Sequence, residues 1–298
     1  MRALVTGATG FIGRKLVGML KRPVVLSRRP EAAQRLLGDV QVFAWEPESG
    51  PPPPQSLEGV EAVFNFAGES VAAGRWTAKR KALIRSSRVV GTRNLVAGIE
   101  AHKSRPKVLI SASGVDYYGE RGDEVLEESA APGSGFLAEV CREWETEAQH
   151  AAQFGIRVCT PRIGIVLGQG GGALERMLAP FKLGLGGRLA SGRHWMPWIH
   201  LDDLAALLLH AAKFGLTGPL NAVAPAPVTN LQFTHALAKA ARRPAILPVP
   251  EFALRLMFGE LAGVLLASKR VVPHAAIGAG FRFKYASLDD ALNQILGE

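Results

Sequence analysis

The chain has 298 residues, 48% of them hydrophobic, which is enough to bury the core of one large α/β domain or of two smaller lobes. Two cysteines and seven scattered histidines provide neither a disulfide framework nor a clustered metal site, so we predict a cytoplasmic protein without a metal. The formal net charge of +9 is carried by dispersed basic residues without interleaved aromatic side chains, which argues against nucleic-acid binding and favours a small anionic ligand.

The chain opens with a strand, a tight turn and a helix. The apolar run Ala3 to Val5 predicts a strand, and Gly7, Gly10 and Gly13 then follow in the spacing G-x-x-G-x-x-G at the start of an amphipathic segment, Phe11 to Lys21. The first glycine allows the turn, the second lets the backbone approach a pyrophosphate at the positive end of the helix, and the third lets helix and strand pack closely. This context predicts a dinucleotide site made of Gly7, Thr9, Gly10, Phe11, Ile12 and Gly13.

Short apolar runs and helical patterns alternate along the chain. Strands are predicted at 24–26, 40–44, 62–66, 108–111 and 157–161, and helices at 79–102, 136–154, 201–214 and 231–242. This alternation predicts an α/β fold with a doubly wound Rossmann parallel sheet and a smaller C-terminal α+β substrate lobe. The longest apolar run, at 252–267, contains charged residues and predicts one amphipathic or buried helix rather than a membrane span. The N-terminal apolar run is the first strand, so it is not predicted to be a signal peptide.

The glycine-rich loop at 168–172 predicts the end of the nucleotide-binding part of the chain. We therefore predict a Rossmann domain at 1–167 and mainly a substrate lobe at 168–298, with 197–225 returning to the Rossmann lobe. A last helix is predicted to be capped around Ser287.

The second strand ends in Ser27-Arg28-Arg29, where a protein that binds NAD usually carries the carboxylate that reads the ribose hydroxyls. Ser27 can donate a hydrogen bond to a phosphate oxygen, and a guanidinium of Arg28 or Arg29 can pair with a 2′-phosphate in a bidentate manner. The predicted cofactor is therefore NADP(H). The alternative is a solvated loop and a site that takes either cofactor.

Several motifs resemble those of the extended short-chain dehydrogenase/reductases, in the NAD(P)-dependent epimerase/dehydratase family. They are Thr6-Gly-Ala-Thr-Gly-Phe-Ile-Gly13, Asn65-Phe-Ala-Gly68, Ser111-Ala-Ser113 followed by Tyr118-Gly119, Pro161-Arg162 and Trp198-Ile-His-Leu-Asp-Asp203. The resemblance implies further cofactor contacts from Phe66, Ala67, Gly68, Glu69, Arg88, Ser111, Pro161 and Arg162.

A narrower resemblance is to a subgroup of sugar-nucleotide epimerases with an added C-terminal segment, here 248–298. The segments that carry it are Gly74-Arg-Trp-Thr77, Phe136 to Glu145 and Val272 to Phe283. Members of this subgroup have at times been labelled cell-division inhibitors.

The sequence departs from this family where its proton chemistry normally lies. The family uses Tyr-x-x-x-Lys on one helix, but the three tyrosines of this chain have no lysine four residues later. Matching Glu145 to the glutamate that follows that pair puts Cys141 in the lysine position and Leu137 in the tyrosine position, and Arg88 replaces the helix-borne asparagine. The remaining catalytic candidates are Ser113, which would polarise the substrate oxygen, and Tyr118, which would move the proton or simply pack. Glu69 could act as a base, and its alternative is to cap the helix or contact the cofactor ribose.

Cationic and aromatic residues predict the substrate side. Arg75, Trp76 and Lys81 come from the first lobe, and Trp195 and Trp198 come from the second. An arginine and a stacking ring suit an anionic or nucleotide-linked ligand, whereas the alternative for both tryptophans is core packing.

The prediction is an NADP(H)-binding epimerase or oxidoreductase that acts by hydride transfer on a sugar-nucleotide-like or related carbonyl or hydroxyl substrate. It would be a monomer or homodimer without membrane contact. Because Tyr-x-x-x-Lys is absent, a non-catalytic NADP(H)-binding regulatory or redox-sensing protein stays open as the alternative, and a nucleic-acid or cell-division partner is the third possibility.

Overall fold

A computed structural model describes residues 1–297 of the chain. The strands are β1 Ala3–Thr6, β2 Val24–Ser27, β3 Gln41–Ala44, β4 Ala62–Asn65, β5 Val108–Ser111, β6 Ser113–Gly114, β7 Val125–Leu126, β8 Arg157–Ile163, β9 Ile165–Leu167, β10 Trp195–Met196, β11 Trp198–His200, β12 Gly218–Ala222, β13 Val228–Thr229 and β14 Arg270–Val271. The helices are α1 Phe11–Val17, α2 Pro30–Leu37, α3 Ala78–Ala101, α4 Phe136–Gln149, α5 Gly172–Lys182, α6 Leu201–Lys213, α7 Asn230–Ala241, α8 Glu251–Phe258, α9 Leu261–Leu266, α10 His274–Gly278 and α11 Leu288–Leu296.

The central sheet is parallel and has the order β12-β8-β5-β4-β1-β2-β3, with β6 paired to β8. Strands β1, β4 and β5 are buried at every position, as expected for a parallel sheet that is covered by helices on both faces. The chain moves from β1 to β2 and β3 on one side and returns to β4 on the other. The switch point between β1 and β4 therefore opens a crevice at the carboxyl ends of these strands. The predicted Rossmann fold is confirmed.

Two apolar clusters cover the two faces of this sheet. One joins the sheet to α1 and α6 through residues such as Leu16, Leu204 and Leu208, and the other joins it to α3 and α4 through Leu95, Ile99 and Ala148. Because both clusters pack on the buried strands, they hold the strand ends, and the loops that follow them, in fixed positions.

A third apolar cluster holds the C-terminal part together. It is formed by α5, α7 and α11 with short strands, and Phe233, Leu237, Leu288 and Leu292 lie at its centre. Strand β12 leaves this part and pairs with β8 in the central sheet.

Buried side chains tie the C-terminal residues back to the sheet. Asp203, near the start of α6, accepts hydrogen bonds of 2.8 Å from the backbone N–H groups of Lys284 and Tyr285. The Ser287 hydroxyl caps α11 by accepting from the N–H of Asp290, as predicted. The C-terminal segment is thereby held against the Rossmann part.

Two helices differ from their predicted bounds. The predicted helix at 252–267 is two helices, α8 and α9, because Gly259 adopts φ +61° between them. Helix α1 ends at Val17 rather than at Lys21, since a turn follows that leads directly into β2. Within residues 1–297, no helix combines the length and the apolar character needed to cross a membrane.

Candidate functional site

A cleft of about 510 Å³ opens at the carboxyl ends of β1, β2 and β4. Ten predicted cofactor residues line it: Gly7, Thr9, Gly10, Ser27, Arg28, Arg29, Phe66, Ala67, Gly68 and Glu69. The structure adds residues that were not among the predicted cofactor contacts: Thr6, Ala8, Leu26, Ala32, Ala33, Leu36, Trp45, Glu46, Pro47, Glu48 and Ser87. The cleft therefore lies at the switch point of the sheet, where Rossmann folds bind dinucleotides.

The glycine turn leaves no room for a side chain at Gly7 or at Gly13. Gly7 adopts φ +64°, and a Cβ there would lie 2.5 Å from the carbonyl oxygen of Phe66. A Cβ on Gly13 would overlap the carbonyl of Gly7. Gly10 is exposed at the start of α1, where the first N–H groups of the helix have no partner within the helix. This arrangement fits the pyrophosphate of a dinucleotide.

A buried polar network, which the sequence analysis missed, fixes this turn. The Thr6 hydroxyl donates to Asn65 Oδ1 at 2.7 Å and accepts from the backbone N–H groups of Phe66 and Ala67. The Asn65 amide donates in turn to Thr92 and Ser111. Ser111 is fully buried in this network and does not line the cleft, and its cofactor contact stays a prediction.

At the far end of the cleft, the loop after β2 presents two cations. The Arg28 and Arg29 side chains are exposed, and the Ser27 hydroxyl accepts a hydrogen bond from the N–H of Arg29. No carboxylate follows directly on β2, but the carboxylate of Glu69 approaches Arg28 from the end of β4, at 3.6 Å. This end of the cleft fits a 2′-phosphate on an adenosine ribose.

Other predicted cofactor residues lie outside the cleft lining. Phe11 packs against the glycine loop that precedes α5, where a Cβ on Gly171 would lie 3.0 Å from the Phe11 ring. Ile12 is partly buried beside it. The Arg88 guanidinium lies under Gly68, over the ring of Trp144 at 5.2 Å, and burial lowers its pKa. Arg88 thus packs between Gly68 of the cleft lining and the ring of Trp144.

A second polar cluster follows β5 and β6. The Ser113 hydroxyl donates to Glu145 Oε1 at 2.7 Å, and Glu145 accepts two hydrogen bonds of 2.9 Å from Arg162. The Arg162 side chain is only 3% exposed. Pro161 beside it is also buried in β8, and the cofactor contacts of both residues stay predictions. Sequence reasoning had used Glu145 only to align the helix.

Tyr118 is fully buried beneath this cluster. Its hydroxyl donates to Asn221 Oδ1 at 2.7 Å and accepts from Arg162 Nη1 at 2.9 Å. Burial raises the pKa of this hydroxyl, and Arg162 opposes the shift. This burial favours the packing alternative over the predicted proton-transfer role, because the hydroxyl is 0% exposed and bonds to Asn221 and Arg162.

Replacing Tyr118 by phenylalanine is expected to lower stability by about 1–3 kcal/mol, because Asn221 and Arg162 would each lose a buried partner. Chemical denaturation followed by circular dichroism measures this. The matched control is Tyr117→Phe, whose ring packs on Arg162 at 3.4 Å and is retained. A stable Tyr118→Phe protein that has lost a turnover shown by the wild type would return the tyrosine to the proton-transfer role.

Helix α4 brings Cys141 and Leu137 to the positions normally held by lysine and tyrosine, and both are buried. Burial raises the pKa of the Cys141 thiol to about 12, so the thiol is neutral at pH 7 and is no nucleophile. A Cβ on Gly114 would lie 3.7 Å from Cys141 Sγ and 3.9 Å from Asp116 Oδ2. Asp116 therefore places a partly exposed carboxylate beside β6, the strand that contains Ser113.

Lys269, from the C-terminal segment, reaches this carboxylate. Its Nζ lies 3.0 Å from Asp116 Oδ1, and its side chain is only 6% exposed. Sequence reasoning missed this pair because the two residues are separated by most of the C-terminal half and match no motif.

Four of the predicted substrate residues are engaged by other parts of the protein, and the fifth is buried. Arg75 donates to the carbonyl of Leu256, and Lys81 forms an ion pair with Glu260. The indole N–H groups of Trp76 and Trp195 donate to Val71 O and Asp123 Oδ1, both at 2.8 Å. Trp198 is 1% exposed and belongs to the core, which favours the packing alternative over the predicted substrate contact. Across residues 1–297, no three His, Cys, Asp or Glu side chains are grouped to hold a metal ion.

A cleft at the switch point of a parallel sheet, lined by a glycine turn after the first strand, is typical of Rossmann proteins that bind dinucleotides. Residues 3–222 match the NAD dependent epimerase/dehydratase family, and the chain belongs to that family. Residues 249–295 match a second family described as a domain of unknown function, DUF1731. The resemblance seen in the motifs and in the C-terminal segment is confirmed.

Relatives match over the full length of the chain. The epimerase family protein YfhF of Bacillus subtilis is 39% identical over 305 residues and covers 100% of this chain and 99% of its own. A crystal structure of the human epimerase family protein SDR39U1 (isoform 2) with NADPH has a TM-score of 0.88 at 32% identity and covers 100% of both chains. The UDP-glucose 4-epimerase of Thermotoga maritima with UDP-glucose, at 18% identity, covers 100% of this chain and 98% of its own, and its TM-score of 0.79 shows a shared fold.

Proposed function

We propose that this protein binds NADP(H) in the switch-point cleft and transfers hydride to or from a sugar-nucleotide-like or related carbonyl or hydroxyl substrate. The observation that carries the proposal is the pair Arg28 and Arg29 at the 2′ end of a cleft with no carboxylate directly after β2. The NADPH in the human relative, which matches this chain over its full length, supports the same cofactor.

The chain's own residues would hold the cofactor in three places. The turn from Gly7 to Gly10 and the first N–H groups of α1 receive the pyrophosphate. Arg28 and Arg29 pair with the 2′-phosphate, and Phe66 to Gly68 line the wall beside the ribose. The bound nicotinamide supplies the hydride donor or acceptor.

On the substrate side, Ser113 is the hydroxyl that would polarise the reacting oxygen. To polarise a substrate oxygen, Ser113 must donate its hydroxyl hydrogen to that oxygen. In the structure this hydroxyl donates to Glu145. A substrate oxygen must therefore replace Glu145 as the acceptor of the Ser113 hydrogen bond. Asp116 is a partly exposed carboxylate on the same edge of the sheet. A hydroxyl proton would pass to such a base, since Tyr118 is buried.

A second function is favoured by the same geometry. With Ser113 bound to Glu145, Tyr118 buried and Cys141 in place of the lysine, the usual proton relay is absent. A non-catalytic NADP(H)-binding regulatory or redox-sensing protein needs only the cofactor cleft. In both cases we propose a cytoplasmic monomer or homodimer, and the substrate or effector would be a small molecule, anionic or nucleotide-linked.

Titration with NADPH and NADH, followed by nucleotide fluorescence, tests the proposal first. We expect NADPH to bind more tightly than NADH. Sugar nucleotides are then screened with NADP+ bound, for its reduction and for the epimerised product, and keto-sugar nucleotides are screened for oxidation of bound NADPH. Turnover that is lost in Ser113→Ala, with NADPH affinity retained, supports the enzyme. Tight binding without turnover across the panel supports the regulatory protein, and absence of NADPH binding contradicts both.

A further inference from the structure

Glu69 and Arg28 face each other across the cofactor cleft. Glu69 follows β4 and Arg28 follows β2, and these strands flank β1, whose glycine turn forms the floor between them. The ion pair, 3.6 Å from Arg28 Nη2 to Glu69 Oε1, therefore bridges the cleft at the end that we assign to the 2′-phosphate.

The two partners are held very differently. Glu69 Oε2 lies 3.1 Å from Arg80 Nη1, and the Glu69 N–H donates to the Ser87 hydroxyl at 3.1 Å. Arg80 also donates to the carbonyl of Ser70 and is 18% exposed. The Arg28 side chain is 62% exposed and, within residues 1–297, forms its only ion pair with Glu69. Glu69 is thus the fixed partner, and Arg28 is the partner that can turn to another anion.

Other charged residues line the cleft and affect how strongly Glu69 and a 2′-phosphate compete for Arg28. Besides Arg28 and Arg29, the lining carries the carboxylates of Glu46, Glu48 and Glu69. A 2′-phosphate has to enter beside this negative charge, and Glu69 already occupies the cation that would receive it. Arg80, from α3, neutralises Glu69 from behind.

We propose that Glu69 is a built-in counter-anion for Arg28 that the 2′-phosphate must displace, so that Glu69 limits NADP(H) affinity and sets the selectivity for NADP(H) over NAD(H). This inference rests on the proposed binding of NADP(H) in this cleft. A cofactor without the 2′-phosphate leaves the Arg28–Glu69 pair in place, whereas a cofactor that carries it exchanges one anion for another on Arg28.

The opposite role makes the opposite prediction. If Glu69 instead accepted hydrogen bonds from the ribose hydroxyls, removing its charge would weaken NADH binding, because a carboxylate bonded to those hydroxyls favours NAD. The sign of the effect on each cofactor therefore separates the two roles.

The test is Glu69→Gln, titrated with NADPH and NADH by nucleotide fluorescence at low salt. We expect NADPH affinity to rise about threefold to tenfold and NADH affinity to change by less than about twofold. The gain should shrink at 0.5 M salt, because exposed charges are then screened within about 3–5 Å. Arg80→Met is expected to act in the opposite direction, lowering NADPH affinity more than NADH affinity, because Glu69 would lose its compensating cation.

Arg28→Met and the double variant Arg28→Met/Glu69→Gln separate this inference from the proposed function. In the Arg28→Met background the gain from Glu69→Gln should be at least halved. If Arg28→Met leaves NADPH affinity unchanged, the proposed 2′-phosphate site itself is wrong. If Arg28→Met weakens NADPH binding but Glu69→Gln does not strengthen it, or weakens both cofactors, only the role of Glu69 is wrong.

Discussion

Replacing Glu145 by alanine is expected to lower the free energy of unfolding by about 3–5 kcal/mol. The change would leave the Arg162 guanidinium, 3% exposed, without the carboxylate that accepts two of its hydrogen bonds. It would also remove the acceptor of the Ser113 hydroxyl. A buried charge without a partner cannot recover its hydration, so the loss far exceeds that of an exposed ion pair.

Urea unfolding followed by circular dichroism measures this loss. The matched control is Glu143→Ala on the same helix, whose ion pair with Arg85 is 44% and 41% exposed and is expected to contribute less than about 1 kcal/mol. NADPH affinity of the folded Glu145→Ala protein should stay close to that of the wild type, because Glu145 does not line the cofactor cleft. A Glu145→Ala protein as stable as the control would show that water reaches Arg162.

Replacing Arg28 by aspartate together with Arg29 by alanine is expected to lower NADPH affinity by more than about tenfold and to leave NADH affinity nearly unchanged. The two arginines are the cations at the end of the cleft that receives the 2′-phosphate, and a bidentate guanidinium–phosphate pair is among the stronger charge-assisted hydrogen bonds. NADH lacks this phosphate and loses nothing there.

A charge-matched control separates the local contact from the overall field of a protein with net charge +9. Arg22→Asp with Lys21→Ala makes the same change in charge before β2, at the opposite end of the strand, where Arg22 pairs with the exposed Asp39. It should not alter the NADPH to NADH ratio. Equal losses for both cofactors in the Arg28 and Arg29 variant would contradict the 2′-phosphate assignment.

Local patterns predicted the Rossmann part well. The run Val24 to Leu26 and the run Val108 to Ser111 lie in β2 and β5, because strands buried on both faces consist of short unbroken apolar runs. The glycine turn could be predicted from the sequence, because the positive φ of Gly7 and the close backbone contact at Gly13 exclude other residues at both positions. The C-terminal part was less readable, because one φ of +61° at Gly259 divided a helix whose pattern continued across it.

The polar clusters could not be predicted from the sequence, because their members are far apart in the chain. Glu145, Arg162 and Ser113 come from α4, β8 and β6, and Lys269 reaches Asp116 from the C-terminal segment. Nothing in the spacing of these residues indicates that they touch. The burial of Tyr118 and Trp198, which favours packing over their predicted site roles, was unpredictable for the same reason, because it depends on partners such as Asn221 that are distant in the chain.

The sequence by itself determined the family, the Rossmann sheet and the end of β2 where two arginines replace a carboxylate, because each depends on residues close together in the chain. Only the tertiary structure decided that Glu69 faces Arg28, that Glu145 holds Ser113, and that Tyr118 is sealed in the core. Hydrogen bonds and ion pairs act over a few ångströms in space, and only the packing of the helices on the sheet brings residues from distant segments within that range.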